Sequence, residues 1–273
     1  SYIVPMAIIA ALFFVFGFIT WLNGALIPFL KTVCELSNFE VLFVTFAFYA
    51  AYFVMALPMA AVLERIGYKK GMVLGLFLIA GGALLFAPAA YSREFGVFLV
   101  ALFVMGSGLT ILQTAVGPYV VKLGPAESAA ARISIMGALN KGAGFIAPIV
   151  FTAMVLSGIT NVSETELALL SEAAKESQLA SLAGQLVGPY IYLAIALAVL
   201  AVALMFAPVP DLKDEAEEGQ DGEVTSTGIL QYPQLVLGAV ALFFYVGVEV
   251  MAGDTIGLLG EAAGMSNVTL LTS

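Results

Sequence analysis

Ser107, Thr110, Gln113, Thr114 and Gly117 fall at i, i+3, i+6, i+7 and i+10 of one apolar stretch, a spacing that predicts a single helix face. A polar group among hydrocarbon is costly and is a functional candidate by default. Small and hydroxyl residues also gather where helices pack, which accounts well for Ser107 and Gly117. Gln113 asks for more, because an amide carries two donors and an acceptor, the set that a pair of sugar hydroxyls needs; Thr110 shares its face. Asn140 and Lys141 lie eleven or so residues into a later stretch, about 16 Å along a helix and so near mid-membrane. An ammonium there needs a partner. Glu249 is the best candidate, with Asp254 just beyond it, and the group reads equally as a structural ion pair or as a cation-coupling site. Snorkelling of Lys141 is disfavoured, since both membrane faces are about 15 Å away. In the first stretch Thr20 and Asn23 bracket Trp21, which reads as an outer-interface anchor or as a platform on which a ring could stack.

These assignments require membrane helices, and the composition supplies them. Hydrophobic residues make up 62% of the chain and charged ones 11%, and mean hydropathy is +1.05; soluble domains are about 45–50% apolar. Apolar runs of about 20 residues, enough to cross about 30 Å of hydrocarbon as a helix, begin near Met6, Phe39, Gly71, Phe95, Ala129, Gly188 and Tyr232. Period-two alternation is missing, which argues against a β-barrel. The first run has no basic head and no clear cleavage site, so it is expected to stay as a helix. The chain is therefore read as an all-α integral membrane protein in the lipid bilayer.

Several chemistries are excluded. The chain has no histidine and one cysteine, Cys34, so an internal disulfide, a Cys-based metal cluster and a histidine proton relay are all out of reach. Nothing resembles a nucleophile and base pair, and no catalytic residue or enzyme activity is expected. No Walker A sequence appears, which argues against an ATP-driven pump. Gly142-x-Gly144-x-x-Ala147 fits a loose dinucleotide pattern but lies inside a span with no preceding strand, so close helix packing explains it. The net charge of −9 says nothing of nucleic acid, because seven acids cluster between Asp211 and Glu223 in a stretch composed like a solvated linker.

Basic residues set the expected topology. Arg65, Lys69, Lys70, Lys122, Arg132 and Lys213 fall on one side and Lys31, Arg93 and Lys175 on the other, which puts the N-terminus and the acidic linker in the cytoplasm. Between spans five and six, Ser163-x-x-Glu166 has the form of a capping box, with Leu167, Leu170, Ala174 and Leu182 following at near-helical spacing; an interfacial helix is expected there. Asn161-Val162-Ser163 and Asn267-Val268-Thr269 match glycosylation acceptors only as bare sequons.

Ala11-Leu12-Phe13-Phe14-x-x-Gly17 recurs as Ala241-Leu242-Phe243-Phe244-x-x-Gly247, opening the first span and again within the seventh. A chain that restarts after six spans reads as a two-fold repeat, the architecture of secondary transporters. The division expected is a six-helix bundle over 1–207, an acidic linker over 208–230 and the start of a second bundle over 231–273. Five further spans would complete the repeat, and those helices are the partners expected for this chain. In the repeat alignment Gly24 falls opposite Asp254.

Glu64-Arg65-Ile66-Gly67-Tyr68-Lys69-Lys70, after span two, resembles the loop signature of the major facilitator superfamily, with Glu64 where an Asp is usual; Glu64, Arg65, Gly67, Lys69 and Lys70 carry the match. Trp21-Leu22-Asn23-Gly24-Ala25-Leu26-Ile27-Pro28, Leu112-Gln113-Thr114-Ala115-Val116-Gly117-Pro118-Tyr119 and Arg132-Ile133-Ser134 leading to Leu139-Asn140 resemble the fucose:proton symporter family, closest to its bacterial glucose/galactose permease branch. The resemblance implies a twelve-helix fold of two six-helix halves, here the first half plus the seventh helix, with sugar bound at the midplane and alternating access. It places Asn23, Gln113 and Asn140 at the cavity, in a multi-pass protein of the bacterial inner membrane that acts as a monomer. Fucose permeases carry an Asp where this chain has Gly24, a Glu at Gln113 and an Asn at Gly117, so coupling through those two acids is not carried over. Symport of glucose, galactose or a related hexose with sodium is the reading preferred, since hydroxyls and amides of the Thr20, Asn23, Gln113 and Asn140 kind suit a hard cation; a proton taken by Glu249 is the rival. No cofactor is called for, and no metal beyond that sodium ion. An N-acetylated sugar as substrate, or a membrane sugar sensor that does not cycle, are the alternatives.

Overall fold

The computed structural model describes residues 3–155, 170–210 and 232–264. Among these the chain forms α1 (Ile3–Val33), α2 (Leu42–Ile66), α3 (Tyr68–Leu84), α4 (Phe86–Ser92), α5 (Phe95–Lys122), a 3₁₀ turn (Ala126–Ser128), α6 (Ala129–Val155), α7 (Glu172–Gly184), α8 (Val187–Phe206) and α9 (Pro233–Ala262). Seven stretches are long and apolar enough to cross a membrane: α1, α2, α3 with α4, α5, the turn with α6, α7 with α8, and α9 up to Gly253. They coincide with the seven apolar runs of the sequence, because in hydrocarbon only a helix satisfies its own backbone. Pro28, Pro58, Pro118 and Pro148 all lie inside helices.

α5 is the hub, packed between α2 and α3, while α1 pairs with α6 and α3 also pairs with α8. Glycines set these distances. A methyl on Gly106 would meet the Phe48 carbonyl of α2 at 2.5 Å, and one on Gly108 would meet the Gly75 carbonyl of α3 at 2.7 Å. Two residues apart on a helix project about 200° apart, so one Gly-x-Gly step lets α5 approach both neighbours. Gly17 does the same for α1, lying against the backbone carbonyl of Asn140 in α6. Close backbone approach through small residues is how membrane helices gain contact without a hydrophobic drive between them. Gly67 is required for its backbone instead. It is the one residue between α2 and α3 and turns the chain at φ +81°, where residues with a Cβ are strained.

Polar knots close each end of the bundle. At one end Arg93 donates to the Val33 carbonyl (3.1 Å) and pairs with Glu176 (2.7 Å) and Glu35 (3.8 Å), while Lys175 also pairs with Glu35. The tip of α1, the α4–α5 turn and α7 are thereby tied together. Nearby, Ser37 and Glu40 form a reciprocal capping box: the Ser37 amide and hydroxyl donate to the Glu40 carboxylate (2.9 and 2.7 Å), and the Glu40 amide donates to the Ser37 hydroxyl (3.2 Å). These bonds hold the Glu40 carboxyl below its usual pKa. At the opposite end Arg132, only 7% exposed, donates to the carbonyls of Val120, Val121 and Pro125 and to the Ser128 hydroxyl. Lys69 of the loop motif donates to the Ala207 carbonyl at 2.8 Å, capping α8, and the Tyr119 hydroxyl donates to the Pro210 carbonyl. The described members of the two groups of basic residues separated in the sequence thus lie at opposite ends, Lys213 being outside the described residues.

Two local expectations shift. The helix between spans five and six begins at Glu172 among the described residues and buries Leu179, Leu182 and Ala183; Ala174 is exposed, and the capping box at Ser163 lies outside the described residues, as do both glycosylation sequons and the acidic linker. Asp254 follows directly on the seventh span, which ends at Gly253, but it is still helical, because α9 continues to Ala262.

Candidate functional site

Four hydroxyls of the spans are consumed locally. Thr20 donates to the Phe16 carbonyl (2.9 Å), Ser107 to Phe103 (2.8 Å), Thr110 to Gly106 (2.8 Å) and Thr114 to Thr110 (2.8 Å), each four residues back along its own helix. In a medium without water the nearest carbonyl lone pair is the cheapest partner, and i−4 bonding supplies it. This corrects the reading of Thr110 as a ligand donor: its proton is spent and the residue is 4% exposed. The five-residue stripe accordingly divides, with Ser107 and Thr110 in the core and Gln113 and Thr114 on an open face.

Asn23 requires a second correction. It is 3% exposed and lies six residues after Gly17, about 240° round α1 from the glycine that faces α6. Its side chain therefore points into the bundle rather than toward Asn140, and its amide nitrogen is buried without a partner. The physical reason is the company it keeps on α1: Leu12, Ile19, Leu26 and Leu30, all buried, share its face.

The other two amides, Gln113 and Asn140, lie against the same segment of α1. Gln113 of α5 is exposed and borders a cleft walled by Leu12, Phe13, Phe16, Leu112 and Val116. Asn140 of α6 is half-buried and donates to the Phe13 carbonyl over 3.4 Å, the outer limit of a hydrogen bond. Phe13 thus touches both sites, through its side chain on one flank and its carbonyl on the other. Apolar walls with a few polar groups at their edge are the ordinary composition of a small-ligand site.

Farther along α1, Trp21 is half-buried in another arrangement. A methyl on Gly144 of α6 would meet its pyrrole edge at 2.5 Å, and one on Gly253 of α9 would meet its benzo edge at 2.5 Å. The Lys141 ammonium stands 5.0 Å from the ring centre and pairs with Glu249 of α9. The interface-anchor expectation does not describe these contacts: Trp21 lies twelve residues before the end of α1, about 18 Å along the helix axis, with α6 at one edge and α9 at the other. The Lys141 ammonium lies over the ring face that a stacked sugar would use. The sequence offered Gly144 only as a packing residue and gave no sign of Gly253. The sequence gave no sign of Tyr52 of α2, whose buried hydroxyl lies beside that of Thr20. Asp254 sits on α9 five residues after Glu249. In the loop motif, Glu64, Arg65 and Lys70 are exposed.

A hard cation needs several oxygens converging on one point. The proposed sodium set is scattered instead, with Thr20 bonded along its helix, Asn23 facing the core, and Gln113 and Asn140 on opposite flanks of Phe13. No group of three acidic, histidine or cysteine side chains converges among the described residues. The geometry gives sodium no support.

Paired long helices, glycine seams and a seventh span that touches α1 define, among the described residues, a multi-span α-helical membrane protein. The chain matches the model of the Major Facilitator Superfamily over residues 9–273 and belongs to that family. It is 39% identical over 243 residues to the glucose/galactose transporter of Brucella abortus, covering 89% of this chain and 55% of that protein. It is 30% identical over 252 residues to the L-fucose-proton symporter of Escherichia coli, covering 91% and 58%. The crystal structure of the E. coli fucose:proton symporter superposes with a TM-score of 0.78 at 28% identity, covering 94% of this chain and 62% of that one. The chain spans somewhat over half the length of these relatives.

Proposed function

We propose that this chain is the first half, with the opening helix of the second, of a sugar symporter of the bacterial inner membrane, with its N-terminus in the cytoplasm and its own remaining helices as partner within a monomer. The observation that carries the reading is that Gln113 and Asn140 both border Phe13 of α1, one beside its side chain and the other at its carbonyl. Two amides offer donors and acceptors to sugar hydroxyls, while Leu12, Phe13 and Phe16 offer an apolar wall to the ring's C–H face. The relatives' names favour glucose, galactose or fucose over an N-acetylated sugar, and favour a proton over sodium as the coupling ion. Glu249 is the carboxylate placed to carry that proton, because Gly24 and Gln113 leave the acids of the fucose permeases absent.

The test is uptake of labelled glucose, galactose, fucose and N-acetylglucosamine by the protein reconstituted in vesicles, under a proton or a sodium gradient. Concentrative uptake of a hexose under the proton gradient, abolished by a protonophore and indifferent to sodium, is expected. Asn140→Ala and Gln113→Ala should each raise the apparent KM roughly 5–30-fold, the loss of about 1–2 kcal/mol of hydrogen bonding. Sodium-driven uptake would overturn the proton assignment. Absence of concentrative flux under either gradient would overturn transport itself in favour of a sensor.

A further inference from the structure

We propose that Trp21 is the wedge on which the two halves close, and that by seating between Gly144 and Gly253 it positions Lys141 against Glu249, so that shutting the α1–α9 seam and pairing those charges are one event. The inference rests on the symport reading above and adds to it a residue that acts through its neighbours rather than by touching sugar.

The geometry is that of a built socket. The indole meets α6 at one edge and α9 at the other, and at both points the facing residue is glycine; a single added methyl would come within 2.5 Å of ring carbon on either side. Such a distance cannot be relieved by rotating a flexible chain end, because the ring is rigid and α6 is held against α1 at Gly17. α9 touches α1, and most of its described side chains are exposed, so Trp21 stands at a contact between the first half and the second. The charges follow the same seam. Lys141 comes from α6 and Glu249 from α9, while Trp21 presents its negative face to the ammonium between them. From α1 no charged residue faces the pair within the span, and on α9 the nearest charged residue is Asp254. While the seam is shut, Lys141 neutralises Glu249 and leaves no vacancy for a coupling proton; when α9 withdraws from Trp21, the carboxylate loses its counter-charge and the vacancy opens. A chain that lacks the two acids of the fucose permeases could in this way tie its proton site to the movement of its halves.

Gly253→Ala tests the wedge by filling the socket, and Trp21→Leu makes room again. Gly253→Ala is expected to keep equilibrium binding of labelled sugar within about threefold of the unsubstituted protein while lowering maximal uptake roughly tenfold, the effect of about 1–3 kcal/mol of overpacking on the closed state. In a Trp21→Leu background the same substitution should cost less than about twofold. A second readout does not depend on transport: spin labels on Asn38→Cys and Ala262→Cys, in a Cys34→Ser background, report the spacing between the turn that follows α1 and the end of α9. The short-distance population should vanish in Gly253→Ala and return in the double variant. Equal losses in both backgrounds, or an unchanged distance distribution in Gly253→Ala, would overturn the wedge. If the unsubstituted protein moved no sugar but the distances behaved as described, the wedge would stand and the symport reading would fall.

Discussion

Gly108→Ala isolates the energetics of the glycine seam. The added methyl would lie 2.7 Å from the Gly75 carbonyl oxygen and 2.8 Å from the Ile79 amide nitrogen, both backbone atoms that no rotamer change can move. Ordinary contact begins near 3.4 Å, so α3 and α5 must part by about 0.7 Å. A gap of that size forfeits a quarter to a half of each dispersion contact along the seam, and overpacking of this kind costs about 1–3 kcal/mol. Against it stands the gain of up to about 1 kcal/mol from replacing glycine by alanine in a helix. Gly117→Ala, in the same helix with nothing within 4 Å of its would-be Cβ, carries the gain without the clash. The difference between the two variants therefore reports packing alone and should reach about 2–3 kcal/mol, since the clash is with backbone on both counts. Because Gly75 and Gly108 oppose each other, Gly75→Ala should cost less once Gly108→Ala has already parted the helices. The assay is reversible unfolding of the detergent-solubilised protein in SDS, followed by circular dichroism. Equal stabilities for Gly108→Ala and Gly117→Ala would refute the reasoning.

Two further outcomes follow from the ends of the bundle. Arg132→Ala strands three carbonyls that share one buried guanidinium and should cost about 3 kcal/mol in the same unfolding assay; Arg132→Lys should recover less than half, because a single ammonium cannot reproduce the fork. Cys34 beside α1 has its thiol pushed from an ordinary 9.0 up to about 11 by burial, against a smaller opposing pull from Arg93, so thiolate at neutral pH falls about a hundredfold. Maleimide labelling should therefore be slow at pH 7.5 and climb steadily toward pH 11; labelling at the rate of an exposed cysteine at pH 7.5 would contradict the burial of this thiol.

The spans were legible because hydrophobicity and length alone decide what crosses a bilayer, and the runs starting near Phe95 and Ala129 begin where their helices do. The polar stripe of α5 was legible as a face but not as a function. Whether Thr110 offers its hydroxyl outward or bonds it to Gly106 depends on a side-chain rotamer that spacing does not encode. Asn23 failed for a related reason: its address in the family motif says nothing of the side of α1 on which Leu12, Ile19 and Leu26 place it. Trp21 was misread because its partners, Gly144 and Gly253, lie far along the chain, and a glycine gives no sign of what it accommodates. The capping box at Ser37 and Glu40 could have been found, since it has the same Ser-x-x-Glu form as the one noted at Ser163.

The knots at the two ends of the bundle differ in kind. Around Arg93 opposite charges meet, with Glu35 half-exposed and Glu176 largely so, whereas Arg132 and Lys69 bind neutral carbonyls. Mobile ions screen the first type within about 8–10 Å at ordinary ionic strength and leave the second almost untouched. One end of this bundle is thus sensitive to the salinity of the compartment it faces and the other is insulated from it, so the surroundings can soften the first half from one side only.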